Sequence, residues 1–142
     1  MVGRLIEKMP LDYRFTVVQA DLDPFQRLSS VAYVRWSEAA RADFLSRLGL
    51  AAFYPRLAAL QFRFDYPVVF PDTLSLILSL QQVGRQDLAL RYVFWSEQQF
   101  QMVAEAFDQV ICHHADGQVC DWPEAVASRL NDLHFEQNWA EH

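Results

Sequence analysis

The sequence predicts an α+β fold in which one antiparallel sheet wraps a single long central helix. Two patterns carry that expectation. Between Ser29 and Leu48 the residues Val31, Ala32, Tyr33, Val34, Trp36, Ala39, Ala40, Phe44, Leu45 and Leu48 spread over more than one helical face. A helix so apolar is expected to be covered on several sides. From Leu60 onward the period changes to two, the spacing of strands that bury one face.

The elements follow in order. Tyr13–Gln19 combines β-branched and aromatic residues and reads as a first strand. Asp21–Arg27 has the composition of a turn. The long helix starts at Ser29 or Ser30, because a serine oxygen accepts a first-turn N–H. Gly49 stands where a helix end favours a left-handed residue. A short Pro-containing stretch, Phe53–Pro55, precedes the next strand, in which Leu60, Phe62, Phe64 and Tyr66 alternate with Gln61, Arg63 and Asp65. Pro67 and Pro71 bracket a bend. Leu74–Gln81 and Leu88–Trp95 are further alternating strands, joined by a turn at Gly84 and Arg85, and Phe100–His113 is another long one. Ala115–Gln118 turns the chain at Asp-Gly. Trp122–Leu133 closes as a helix, with Asp121 as N-cap and Pro123 as its first residue. No repeat or linker interrupts this order. One domain spanning 1–142 is expected, with a core over about 13–130 and a short polar tail.

Composition removes several classes of function. With 52% hydrophobic and 21% charged residues in 142, the chain has the make-up of a folded globular protein. The aromatic share of 14% calls for a thick core or a subunit interface. A net charge of −6 without a Lys/Arg cluster argues against nucleic acid as a partner, since phosphate contacts dominate that affinity. No apolar run approaches the roughly 20 residues of a membrane helix, and the first ten residues lack a signal-peptide core. A cytoplasmic protein with no membrane partner is expected, its Cys112 and Cys120 as free thiols.

Most catalytic patterns fail. There is no G-x-S-x-G, no P-loop and no G-x-G-x-x-G. Cys112-His113-His114 with Cys120 offers zinc-ligand types, but neighbours on a strand point to opposite faces, so no metal site is expected. Asp21 and Asp23 form a D-x-D pair that reads as solvated turn charge. His134 and His142 read as surface residues, and Glu38 is expected to pair with Arg35 or Arg41 on the helix surface. Asp23 remains, a lone acid seven residues before Ser30. Read from the residues alone, it is a helix-dipole cap or Asx-turn residue. Its other reading is a reactive carboxylate facing N–H groups that can hold negative charge. Tyr33, Trp36 and Phe44 divide in the same way between core packing and the walls of an acyl pocket.

These segments resemble the hotdog fold, in particular thioesterases of the 4-hydroxybenzoyl-CoA thioesterase type. The likeness rests on Asp23, Tyr33, Glu38, Ala39 and Arg41 around the helix, then on Asp65-Tyr66-Pro67, Phe70–Leu74 and Val83-Gly84-Arg85. It extends to Val103–Ala106 and Trp122-Pro123-Glu124, and so covers roughly Tyr13 to Leu130. Two departures stand out: Arg27 where His is frequent, and Ser29-Ser30 where Asn-Asn is frequent.

The resemblance implies that Asp23 attacks the thioester carbonyl or activates a water, while the backbone N–H of Ser30 polarises the carbonyl oxygen. It further implies that Arg27, Ser29 and Tyr33 border the substrate, and that Gly84 and Arg85 meet the phosphates of coenzyme A. Acyl-CoA is then the small-molecule partner, CoA enters only as part of the substrate, and no other cofactor or metal is implied. A homodimer or homotetramer is implied as well, because one such domain leaves a sheet edge and a helix side open. All four His lie at or beyond position 113, away from the helix where dehydratases of this fold place one. The rival readings are a non-catalytic acyl or aromatic ligand-binding module, and a thioesterase acting on a carrier-protein-bound acyl chain.

Overall fold

Alternating leucines set the architecture. The computed structural model describes residues 5–49 and 53–140. It contains β1 (Leu11–Thr16), a 3-10 turn at Gln19–Asp21, α1 (Ser30–Ser46), β2 (Tyr54–Phe64), β3 (Thr73–Val83), β4 (Asp87–Ser96), β5 (Gln101–His113) and α2 (Glu124–Ala140). The strands form one five-stranded sheet in the order β1-β3-β4-β5-β2, antiparallel at every pairing. On β3, Leu74, Leu76, Leu78 and Leu80 point inward, and their partners on β4 include Phe94, Tyr92 and Leu90. All of these are 2% exposed or less. Each such side chain contributes about 1.5–3 kcal/mol by leaving water.

Helix α1 lies across that inner face. Its residues Ala32, Tyr33, Trp36, Ala40 and Phe44 are buried, with Trp36 stacked on Phe15 of β1 at 5.1 Å and Tyr33 edge-on to Phe94 of β4 at 5.0 Å. Small residues on both sides, Ala32 and Ala40 on the helix and Ala104 and Ala106 on β5, leave room for the rings. The opposite side of α1, with Val31, Arg35, Glu38, Ala39 and Ala42, is exposed within one chain. The helix is therefore covered on one side, and not on several.

A buried polar group sets the depth of α1. Arg41 reaches Asp108 of β5 at 3.3 Å and the Tyr92 hydroxyl at 3.2 Å, while the Leu90 N–H donates to the other Asp108 oxygen at 3.1 Å and the Tyr92 hydroxyl donates to Asp108. Burial pushes the Asp108 carboxyl above its ordinary value, against the pull of these donors. Glu38 takes neither expected partner: Arg41 is drawn into the core and Arg35 pairs with Asp21 at 2.6 Å.

Several boundaries differ from the sequence expectation. The first strand ends at Thr16 and Gln19 opens the 3-10 turn instead. Strand β2 starts at Tyr54, absorbs Pro55 and stops before Asp65 and Tyr66. An edge strand tolerates a proline because its outward N–H has no partner to lose. Helix α2 begins at Glu124, where the Pro123 carbonyl accepts the Ala127 N–H at 2.8 Å. Asp121 does not cap it. The helix also runs to Ala140, so His134 sits within it and the expected polar tail is helical up to that point. His142 lies outside the described residues. The reason for the extension is Gln137: its amide accepts from Leu80 N and donates to Leu80 O, both at 2.9 Å. Strand β1 ends its pairing at Leu78, so this side chain supplies the peptide-like partner that β3 would otherwise lack.

The Arg41 pair yields a stability prediction. Asp108→Ala, which strands a buried guanidinium, should lower unfolding free energy by about 3–5 kcal/mol in urea titration. The double change Arg41→Met with Asp108→Leu should recover most of that loss.

Candidate active site

The segment between the 3-10 turn and α1 is held from both ends. Asp21, 7% exposed, accepts the Val18 N–H at 3.0 Å and Arg35 at 2.6 Å, and its carbonyl accepts the Ser29 N–H at 2.9 Å. It is thus a buried, paired acid, in place of the solvated turn charge expected. The Leu28 N–H donates to the Val68 carbonyl at 2.7 Å, and Leu22 bridges to Leu28. Between these clamps Asp23 forms an Asx turn: Oδ1 accepts the N–H of Phe25 at 2.8 Å and of Arg27 at 3.1 Å. Gln26 takes a left-handed φ of 63° to close it. The Asx-turn reading of Asp23 is what the structure shows: the turn consumes one oxygen, while Oδ2 has no hydrogen-bond partner among the described residues.

Ser29 is the N-cap of α1, its Oγ accepting the Val31 N–H at 3.1 Å. The Ala32 N–H goes to the Ser29 carbonyl at 3.1 Å. The Ser30 N–H, in contrast, donates to nothing among the described residues. A free donor at a helix N-terminus carries the positive end of the helix dipole with it.

These groups share one cleft of about 360 Å³, lined by Asp23, Arg27, Leu28, Ser30, Tyr33 and the segment Phe64–Val68. Arg27 stacks over the Phe25 ring at 5.7 Å and makes no ion pair among the described residues. Trp36 and Phe44 stay in the core. Sequence reasoning missed Phe64, Asp65 and Tyr66 as walls of this cleft. Their signal is the end of the period-two run just before Pro67: β2 stops at Phe64 and the chain then passes the start of α1, where the Val68 carbonyl takes the Leu28 N–H. Asp65 is engaged by Arg63 through both oxygens, at 2.9 and 3.2 Å.

Gly84 and Arg85 lie elsewhere. They form the β3–β4 turn, in which the Gly84 N–H bonds the Asp87 carbonyl at 2.9 Å and any Cβ on Gly84 would collide with the Asp87 carboxylate. The cleft adjoins the opposite end of β3, about 30 Å away along the strand at the usual rise. Arg85 pairs with Asp121 at 2.9 Å, which Gln86 also bonds at 3.0 Å. These bonds hold the Asp121 carboxyl below its ordinary value. One chain does not bring Arg85 to Asp23. Near this turn Cys112 and Cys120 are free thiols, 3.4 Å apart. Among the described residues no three His, Cys, Asp or Glu side chains gather as a metal site, and no helix is long and apolar enough to cross a membrane.

A five-stranded antiparallel sheet packed on a long helix is the hotdog architecture. The profile of the thioesterase-like superfamily matches residues 17–130, and the chain belongs to that family. The chain is a thioester hydrolase by that membership. Solved structures agree in fold. A hypothetical protein of Thermus thermophilus is 25% identical, covering 87% of this chain and 98% of its own, with a TM-score of 0.77. A 1,4-dihydroxy-2-naphthoyl-CoA thioesterase of Synechocystis is 19% identical, with coverage of 88% and 98% and a TM-score of 0.76. The DHNA-CoA thioesterase of Staphylococcus aureus is 16% identical, with coverage of 89% and 94% and a TM-score of 0.75. Comparison with the curated proteins finds no match.

The cap makes a direct test of how the site is held. Ser29→Ala should lower stability by about 1 kcal/mol in urea titration, the usual worth of a serine N-cap.

Proposed function

We propose that this protein is an acyl-CoA thioesterase of the 4-hydroxybenzoyl-CoA thioesterase type, releasing a free carboxylic acid and CoA. The observation that carries the reading is the pairing, in one cleft, of an Asp23 oxygen and a Ser30 N–H that have no hydrogen-bond partner among the described residues. A thioester carbonyl placed between them would present its carbon to the carboxylate and its oxygen to the helix N-terminus. Asp23 then attacks that carbon, expelling the CoA thiolate and leaving an anhydride that water opens. Alternatively it takes the proton of a water that attacks directly. Either route consumes one water and needs no metal or further cofactor. The negative charge that develops on the oxygen falls at the Ser30 N–H, where one aimed donor is worth about 3–4 kcal/mol of barrier.

Arg27 lines the cleft, and its guanidinium, without an ion pair among the described residues, is available to anionic groups of the substrate; Ser29 is not a lining residue and serves as the helix cap. The phosphate contact assigned to Arg85 requires a second copy of the chain. Strand β2 is a sheet edge that exposes Tyr54, Leu57 and Phe64. Such an edge pairs readily with its own copy. Antiparallel pairing about a two-fold axis sets the Phe64 end of one β2 beside the Tyr54 end of the other, and so brings the second copy's β3–β4 turn toward the cleft. The reading is therefore of a cytoplasmic homodimer, or a tetramer of two such dimers, with neither nucleic acid nor membrane as partner.

Two measurements test this. Over a panel of acyl-CoAs, Asp23→Asn should reduce kcat by about 10²–10⁴-fold, the range for a positioned base, whereas Ser30→Ala should leave kcat near the unaltered value because the backbone N–H remains. Turnover that survives Asp23→Asn overturns the mechanism, and binding without turnover in the unaltered protein favours the ligand-binding module. In sedimentation, Leu57→Asp should convert the dimer to monomer and lower turnover with it. A fully active monomer would remove the second copy from the site.

A further inference from the structure

Tyr33 is a phenol buried between α1 and the sheet. It is 3% exposed, and its ring is fixed by Trp36 of α1 at 6.3 Å, Phe62 and Phe64 of β2 at 6.3 and 5.1 Å, and Phe94 of β4 at 5.0 Å. The hydroxyl has no hydrogen-bond partner among the described residues. Yet no buried side-chain polar atom among those residues is sealed off without a partner. The oxygen is therefore not sealed inside the core, and Tyr33 lines the cleft. A ring held this firmly, with its one polar atom left over, can offer that atom to whatever fills the cleft.

We propose that the Tyr33 hydroxyl donates a second hydrogen bond to the thioester carbonyl oxygen, completing a two-donor oxyanion site with the Ser30 N–H. This inference rests on the Asp23 and Ser30 reading above. Ser30 and Tyr33 stand three residues apart and so share a face of the first helical turns. A helical side chain leans toward the N-terminus, which carries the Tyr33 ring back over the turn that holds the free N–H. The carbonyl oxygen is the acceptor that every thioester brings, whatever its acyl group. Burial, and after it the Asp72 carboxylate, push the phenol above its ordinary value. Tyr33 thus keeps its proton as a neutral donor.

The test is Tyr33→Phe, which removes one oxygen and keeps the ring. With every acyl-CoA in the panel, kcat should fall about 10²-fold, as for loss of one oxyanion donor, with KM nearly unchanged. Two unreactive analogues then read the contact without turnover. A ketone in which methylene replaces the sulfur keeps the carbonyl and should bind the variant about tenfold more weakly, the worth of one hydrogen bond. A thioether lacking the carbonyl should bind both proteins equally. An unchanged kcat with equal ketone affinity overturns the proposal, and so does a loss confined to acyl groups with polar substituents. The analogue pair reports on Tyr33 even where Asp23→Asn retains turnover, so the two readings fail separately.

Discussion

The start of α1 is where the constraints of this fold meet. A carboxylate taken out of water has to be satisfied inside the protein, and Asp21 achieves this by gripping Val18 and Arg35 while its carbonyl takes the Ser29 N–H. The Leu28 N–H is spent on Val68. With both flanks committed, the Asx turn of Asp23 has one place to lie, over the first turn of the helix. A helix start leaves several donors without intrahelical partners. Ser29 Oγ serves Val31, and the Ser29 N–H serves Asp21, so the donor that remains is that of Ser30. The vacant N–H is a consequence of how its neighbours are capped.

That geometry also depends on the rotation of the helix about its axis. One residue corresponds to about 100° of turn, so a small slip would carry Ser30 and Tyr33 away from the cleft. Arg41 prevents it, because its guanidinium finds Asp108 and Tyr92 at only one rotation and one depth. Apolar packing alone would tolerate sliding of Ala and Phe along a leucine surface. A buried ion pair tolerates none, since removing either partner leaves an uncompensated charge.

How much of this could be read from the sequence follows from the range of each interaction. The strand runs at Leu74–Leu80 and Leu88–Phe94 were legible because period two is a local property of a sheet with one apolar face. The helix was legible from Ser29 and its apolar run, and the Asx turn of Asp23 from its place in the turn before that helix. The fate of Arg41 was not, because its partner Asp108 is 67 residues away and the local pattern offered Glu38. Asp121 looked like a cap for the same reason, its true partner Arg85 lying 36 residues back. Gln137 was the hardest: Val126, Leu130, Leu133 and Gln137 continue one helical stripe, but a polar residue at the buried position reads as the end of the stripe until Leu80 is seen beside it. The vacancy at Ser30 is likewise invisible from sequence, since it depends on which neighbour takes which acceptor.

The charge distribution bears on how an anionic substrate is held. In a chain of net charge −6, the long-range field does not draw in phosphates, so recognition has to be local. Most arginines near the cleft are already occupied: Arg35 by Asp21, Arg63 by Asp65 and Glu105, and Arg91 by Glu105. Arg27 is the exception within the cleft, carrying only an aromatic contact among the described residues. Arg85, 86% exposed at its side chain, is held by an acid that is itself half in water. Such exposed pairs contribute little to stability, so exchanging Asp121 for a phosphate costs the fold almost nothing. One chain sets these two cations at opposite ends of β3. On the proposed reading, an acyl-CoA reacting at Asp23 would meet Arg27 from that chain and Arg85 only from a second copy, so the proposed pairing through β2 would serve the substrate's charge as well as the open sheet edge.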